Sequence, residues 1–594
     1  MKKELRQTGL RPKRTVWLNS DHFIYMAKVI WLLILFAVTS VVLVLPFVLN
    51  GKLYMGSDMQ FHLSRIFELK SAISNGNGFP FVSTRTFNSV GVPLNLLYSP
   101  LLLYPFAILS LLISNQVDAI YVGIMLMFFL SLVINYGVAK RYFENNKVKA
   151  TIFTYVYTFS SINFGIWFSG FTMGQACAAI FYPLTIYGMY SIFWGRYHDW
   201  CMLAIGMSIL LYSHLISVVL MVTLLFALFI IAILTSKHFF FRIRYFVFSV
   251  LLALCLSSFF LVGFISTELS SKLSVTKIVQ LEDGTAGVGK LIWNSLSNSY
   301  TPLGIGFIFL ISIILGIVNR KKLSRRLNFV LAISIVCVVL TTKLFPWNLM
   351  QNTFFNVIQF PYRILAVGSV FMGVLFTELF SVLVLKKLSF VRGRLSIVGI
   401  LLLVCVLFLA NFKTFTMDRS SQSELNYSPY SWHIAPPMFY VTANSYNNLF
   451  GYNAGVGSTD YWPQKSMKHV YDIKTHVVYI NNKANYAQEQ VLKDNGWQYI
   501  VNSQKEQSKI DLPILNYHSY KVILNGKSVA YSESKRGTIQ VHGLKGTNNI
   551  SVQYEISNGL IISIYVTVLS WLILILTWFW RVITKRDGVL NENS

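Results

Sequence analysis

Residues 98–115 read YSPLLLYPFAILSLLISN, an apolar stretch long enough to cross a bilayer. Whether it crosses decides on which side every later loop falls. Pro100 and Pro105 each remove a backbone donor and interrupt regular helix, which suits a short helix that lies in the interface or re-enters it. Charge points the same way. Read as a span, the stretch puts KRYFENNKVK from Lys140 outside and inverts every basic loop behind it. Read as interfacial, it leaves that loop inside, together with SKHFFFRIR from Ser236, NRKKLSRR from Asn319, KKLSFVRGR from Lys386 and RVITKRD from Arg581.

Outward from this stretch, continuous apolar runs place spans near 28–50, 119–139, 150–167, 176–194, 200–213, 216–235, 245–266, 302–318, 328–342, 363–385, 395–413 and 559–581. The expectation is therefore an α-helical polytopic membrane protein of about 12 spans in the cell membrane; the runs are continuous rather than alternating, unlike barrel strands. Composition agrees, with 54% hydrophobic and 12% charged residues. Residues 1–27 are polar and basic and lead into a run without a small-residue cleavage site, so they read as the cytoplasmic arm of an uncleaved signal anchor. The tail 582–594 is cytoplasmic on the same reading. A net charge of +27 would suggest a nucleic-acid partner in a soluble chain, but here much of it clusters between apolar runs, and no nucleic acid is expected. The five cysteines fall within expected spans without metal-ligand spacing.

The transmembrane module covers 28–413, with outer loops at 51–118 and 266–300, and an outer domain covers 414–558 ahead of the final span. That domain reads as β-rich from about 515. KVILNGKSVAY from Lys521 places Asn525-Gly526 between β-prone runs, a strong hairpin signal. GTIQVHGL and NNISVQYE alternate with period two, putting Ile539 with Val541, and Ile550 with Val552 and Tyr554, on one face each. A small antiparallel β-sandwich tethered between the last two spans is expected.

Residues 56–65, GSDMQFHLSR, follow the first span and carry three ionisable groups. Ser57-x-x-Gln60 has capping-box spacing, so a helix is expected from Ser57, and Asp58, His62 and Arg65 then share one face. A helix N-terminus and a nearby guanidinium both favour an ionised Asp58, able to take a proton. The competing reading makes Asp58 a dipole-complementing residue and leaves His62 and Arg65 facing headgroups.

Elsewhere, Arg363 could clamp a phosphate with Gln359 orienting it, or anchor at the interface. His214, where a long apolar run turns back, could contact a phosphate or serve the freed backbone of the turn. Asp460 could reach over the cavity or belong to a turn. No Walker loop, dinucleotide fingerprint, acidic metal-binding pair or supported Ser-His-Asp set is present; no cofactor is expected, and the use of a divalent metal stays open.

A span followed by G-x-D-x-x-F-H-x-x-R, an Asn-Gly and proline turn and an aromatic-proline segment resembles the bacterial multi-pass family labelled 6-pyruvoyl-tetrahydropterin synthase-related, close to the YfhO-like proteins. Further segments are similar to that family: FTMGQACAAIFYPLTIYG from Phe171, LLYSHLIS from Leu210, QFPYRIL from Gln359 and STDYWP from Ser458. The family in turn resembles GT-C class glycosyltransferases, whose first outer loop carries an acidic catalytic residue. The resemblance implies transfer of a sugar from a polyprenyl-phosphate donor to a cell-surface glycan, lipid or teichoic-type acceptor, with Asp58 as general base. His62, Arg65, Gln359, Arg363, His214, Gln175 and Asp460 would then bind substrate. It also implies a Glu where this chain has Gln175. Two alternatives remain open: a lipid-linked glycan flippase, and a non-catalytic cell-envelope assembly protein.

Overall fold

The apolar runs form helix, and where those helices break sets the architecture. The computed structural model describes residues 20–274, 279–425, 438–451 and 459–591. Among these, eight helices are long and apolar enough to cross a membrane: Met26–Asn50, Gln116–Tyr142, Met173–Phe193, Leu215–Thr235, Phe239–Leu256, Pro361–Lys387, Val391–Asp418 and Asn558–Trp580. The remaining expected spans are helical but shorter or broken. Residues 150–167 divide into Lys147–Thr158, Ser161–Phe164 and a π turn at Gly165–Ser169. Residues 302–318 begin as helix only at Phe307, after Gly306 at φ +80°; the expected span 245–266, which holds the Phe239–Leu256 helix, breaks at Ser257.

The 98–115 stretch forms one short regular helix, Tyr104–Leu112, with Pro105 in its first turn, where the missing N–H has no helical partner to lose. Nine residues reach about 14 Å, roughly half the hydrocarbon thickness. Asn115 then starts the next helix, its side chain accepting from the Val117 and Asp118 amides. That helix, Gln116–Tyr142, is about 40 Å long. At its start Lys70 Nζ donates to Gln116 at 3.0 Å, and its far end carries Lys140 and Arg141.

Three short strands staple the first loop to the chain beyond Asp418. β1 (Leu53–Tyr54) pairs antiparallel with β3 (Phe439–Val441), which pairs parallel with β2 (Ser423–Glu424). The β-rich unit begins earlier than residue 515, with β4 (Val478–Ile480), β5 (Lys483–Asn485), β6 (Glu489–Lys493), β7 (Gly496–Ser503) and β8 (Ser508–Leu515). It continues through β9 (Tyr520–Leu524), β10 (Lys527–Val529), β11 (Ser532–Glu533), β12 (Thr538–Gly543) and β13 (Gly546–Tyr554). Two five-stranded sheets result, in the orders β10-β9-β13-β7-β6 and β11-β12-β8-β4-β5. Asn525 and Gly526, at φ +48° and +83°, form the two-residue hairpin between β9 and β10. Ile539, Val541, Ile550 and Val552 are buried as their alternation requires, and Tyr554 is partly buried.

This unit is more than a tethered appendage. Val82, Val90, Val92, Leu94 and Leu97 of the first loop enter its apolar core beside Trp497 and Tyr520. Trp497 Nε1 donates to the Ser89 carbonyl at 2.8 Å, the Leu515 amide donates to the Val90 carbonyl at 2.9 Å, and Arg85 pairs with Asp494. Glu68 holds the loop from the helical side. Buried to 2% exposure, it accepts hydrogen bonds from the amides of Thr84, Arg85 and Thr86 and from both threonine hydroxyls. The first loop thereby sets the β-rich unit against the bundle, over the end where Asp58 lies.

Candidate functional site

The turn Gly56-Ser57-Asp58 is held from two sides. The Met55 amide donates to the Phe439 carbonyl at 2.8 Å, next to the β1–β3 pairing. The Ser57 hydroxyl and the Asp58 amide both donate to the Gly170 carbonyl, at 2.9 and 3.2 Å. This long-range bond replaces the expected capping box. The regular helix starts at Met59, one turn position late, and Asp58 stands at its N-cap without a side-chain cap bond.

Gly56 is required by space. A Cβ there would lie 2.6 Å from Phe171 Cβ and 2.8 Å from the backbone of Gly170, which cannot yield without moving the turn. Gly56→Ala is therefore expected to destabilise the protein by about 1–3 kcal/mol. The check is a lowered thermal midpoint in detergent; an unchanged midpoint would show that the turn is free to shift.

Asp58 stands just before the Met59–Ser74 helix that carries His62 and Arg65, and the three have different duties. Arg65, 2% exposed, spends its guanidinium on the chain itself: it donates to the carbonyls of Tyr98 and Ser99, the latter at 2.9 Å, and lies 4.4 Å from the Tyr98 ring centroid. Arg65 thus ties the Met59–Ser74 helix to the start of the 98–115 stretch, in place of the expected phosphate contact. Arg65→Gln leaves those buried carbonyls short of a charged donor and is expected to destabilise the protein by about 3 kcal/mol. In a denaturation series the loss should appear as a lower midpoint, and a variant as stable as the parent would contradict the structural role.

His62 is buried and its Nδ1 has no hydrogen-bond partner. Burial first, then the positive fields of Arg65 and His214, hold its imidazole well below its ordinary value of 6.5, so it is neutral at pH 7. It can donate or accept a hydrogen bond but brings no charge to a phosphate.

His214 caps the Leu215–Thr235 helix: its Nδ1 accepts from the Ser217 amide at 3.2 Å and lies 2.8 Å from the Ser217 hydroxyl. The imidazole thus serves the backbone of the turn as an acceptor. Burial, with the charge of Arg363 second, pulls His214 down to about 3, so this ring too is neutral.

Arg363 comes from the other half of the chain and ends a single 3-10 turn, Pro361–Arg363. It is 8% exposed and donates to the Ile358 carbonyl at 3.2 Å and to Gln359 Oε1 at 2.8 Å, so the Gln359 side chain holds the guanidinium itself. Asp58 and Arg363 act on each other electrostatically. Yet Asp58 forms none of the ion pairs within 4.0 Å found among the described residues. Asp460, partly buried in the Thr459–Asp460 turn, is a second carboxylate within the field of Asp58. Ser458 of the same motif lies outside the described residues.

Burial is the largest influence on Asp58 and raises its carboxyl above the ordinary 3.8; Arg363 and the Ser57 hydroxyl act in the opposite direction, and Asp460 adds to the rise. The helix N-terminus was expected to keep this group strongly ionised. Partial burial of Asp58 acts against that expectation, and the charge of Arg363 acts with it.

Gln175 is buried on the Met173–Ala179 helix, next to Gly174, whose missing Cβ makes room for the Tyr98 hydroxyl; a Cβ would lie 1.7 Å from it. Tyr98 and Tyr461 were not among the sequence candidates, although both lie inside quoted motifs. Tyr98 stacks on Arg65 and lies 5.9 Å from the His62 ring and 6.1 Å from the His214 ring, centroid to centroid. Its signal was the glycine at 174, which sequence alone could not pair with it.

Three bulky residues around this cluster have left-handed or neighbouring positive backbone angles: Phe171 at φ +51°, Gln359 at +59° and Tyr461 at +65°. Each adjoins a segment that delivers one of the grouped side chains. Such angles cost of order 1–3 kcal/mol apiece and persist where surrounding packing imposes them. Among the described residues, no group of three or more His, Cys, Asp or Glu side chains gathers closely enough to hold a metal ion.

No family model matches the chain. No curated protein matches it either. Among solved structures, the crystal structure of the Archaeoglobus fulgidus oligosaccharyltransferase in the apo form is similar at 13% sequence identity and a TM-score of 0.37. The alignment covers 66% of this chain and 57% of that one, so the chain spans little more than half that protein's length.

Proposed function

We propose that the protein is a membrane glycosyltransferase that moves a sugar from a polyprenyl-phosphate-linked donor to a hydroxyl of a cell-surface glycan, lipid or teichoic-type acceptor at the outer face. One observation carries the reading: the partly buried Asp58 and the buried Arg363, some 300 positions apart, act on each other electrostatically without closing an ion pair. A carboxylate and a guanidinium held in this way can serve the two ends of a displacement.

In the proposed reaction the acceptor oxygen attacks the anomeric carbon and passes its proton to the Asp58 carboxylate. The bond from the anomeric carbon to the phosphate oxygen breaks, and the phosphate leaves with the electron pair. Arg363, oriented by Gln359, stabilises that developing charge. The neutral imidazoles of His62 and His214 serve as hydrogen-bonding groups, while Arg65 and Tyr98 hold the geometry. The basic loops from Lys140, Ser236, Asn319 and Lys386 support this reading on the positive-inside rule, with a cytoplasmic side opposite the cluster.

The test is the surface glycan of cells whose only copy carries Asp58→Asn, with expression matched to the parent. Loss of a sugar or polymer from the surface is expected. An unchanged glycan in well-expressed mutant cells would overturn catalysis and leave the assembly role.

A further inference from the structure

At the far end of the bundle from Asp58 lies a cavity of about 820 Å³. The Leu215–Thr235 helix measures the separation: His214 caps the end near Asp58, and Thr235 lines the cavity about 30 Å away. Val138, Phe153, Ile186, Leu228, Val330 and Val374 give it an apolar wall drawn from six helices. Trp194 Nε1 donates to Thr235 Oγ1 at 3.0 Å and joins two of these helices at the rim. Its volume lies within the range of about 300–1,000 Å³ common for enclosed ligands.

A second, polar recess of about 190 Å³ adjoins it and shares Tyr142, Tyr187 and Tyr190 as lining residues. Arg325 and Arg326 line the apolar cavity, and Arg141, Arg196 and Glu144 line the polar recess. Two nearby carboxylates are already engaged: Asp199 by Arg196 at 3.3 Å and the Tyr187 hydroxyl at 2.8 Å, and Glu378 by Lys149 at 2.7 Å. Among the described residues, no carboxylate lies within ion-pair distance of Arg141, Arg325 or Arg326. Arg326 is nevertheless held in place, 4.3 and 4.7 Å from the ring centroids of Tyr142 and Tyr190, with its Nε donating to the Tyr142 hydroxyl at 3.2 Å. Two aromatic faces fix the plane of the guanidinium and leave its terminal nitrogens without an acid partner.

We propose that this pair of recesses binds one anionic phospholipid, with its acyl chains in the apolar cavity and its phosphate headgroup against Arg326 and Arg141. The apolar cavity would be poorly filled by a free anion, and the surplus of arginines over carboxylates selects against a zwitterionic headgroup. The site is separate from the Asp58 cluster and does not depend on the reaction proposed for it.

The test uses the full chain in detergent, offered equal amounts of dioleoyl phosphatidylglycerol and dioleoyl phosphatidylcholine, with bound lipid counted by native mass spectrometry. Retention of the glycerol lipid at least about tenfold above the choline lipid is expected. Arg326→Gln should remove that preference, and Val374→Trp, which fills the cavity, should reduce binding of both lipids. If Val374→Trp does not fold, Ile231→Trp at the wall replaces it. Dihexanoyl phosphatidylglycerol, which keeps the headgroup on short chains, should compete weakly. Equal retention of the two lipids by the parent, a preference that survives Arg326→Gln, undiminished binding of both lipids by the folded cavity-filling variant, or full competition by the short-chain lipid would each overturn the proposal.

Discussion

Asp58→Asn is expected to lower the rate of sugar transfer by about 10²–10⁴-fold, the usual contribution of a positioned general base. The assay is the full chain reconstituted in vesicles with an undecaprenyl-phosphate-linked hexose and a soluble acceptor glycan. Asn keeps the size of the side chain, and Asp58 makes no cap bond for the helix to lose, so folding and donor binding should be largely retained. The loss should therefore fall on the chemical step. The pH dependence follows from burial. A carboxyl raised above 3.8 must lose its proton before it can accept one, so activity should fall with falling pH through a midpoint above the ordinary carboxylate value, and that limb belongs to Asp58. Transfer by the Asn variant at the parental rate would remove Asp58 from the mechanism.

Local features of the fold were legible, and features set by distant partners were not. Pro105 marked a short helix in 98–115, and Asn525-Gly526 marked a hairpin, because proline and the Asn-Gly pair act on their own backbone. Period-two alternation located β12 and β13. It could not locate β5, whose three residues are all exposed, or β6, which is largely exposed, and β4 is only three residues long, too short to show a period; the β-rich unit begins there, some 37 residues before the legible boundary. The capping box at Ser57 failed for the opposite reason. Its hydroxyl finds the Gly170 carbonyl, 113 residues away, and no local rule anticipates that partner.

The site shows the same division. Spacing placed Asp58, His62 and Arg65 on one face; the Met59–Ser74 helix carries His62 and Arg65 and leaves Asp58 at its N-cap. It could not tell which of them would be consumed by structure. Arg65 is consumed, since the Tyr98 and Ser99 carbonyls lie beneath it. Arg363 is partly consumed, by Ile358 and Gln359, and still acts electrostatically on Asp58. Glu68 gave no motif signal, because its purpose appears only once residues 84–86 fold back onto it.

Arg363→Met is expected to produce two effects that a purely structural residue would not combine. The first is a loss of transfer of about 10²-fold or more, as a buried donor to the leaving phosphate is removed. The second is a shift of the acid limb to higher pH. Arg363 is the largest influence lowering the Asp58 carboxyl; without it, burial and Asp460 act with less opposition and the carboxyl rises further. The sign follows directly: a higher Asp58 value means that less of the enzyme is ionised at a given acidic pH, so the half-maximal point moves toward neutrality. Arg363→Lys keeps the charge but loses the planar contact with Gln359, and should restore most of the limb position while restoring less of the rate. The decisive measurement is the pH profile of kcat/KM for parent, Met and Lys variants side by side. An acid limb unmoved in Arg363→Met would show that the two groups are not coupled. A limb that shifts without loss of rate would keep the coupling but take Arg363 away from the leaving phosphate.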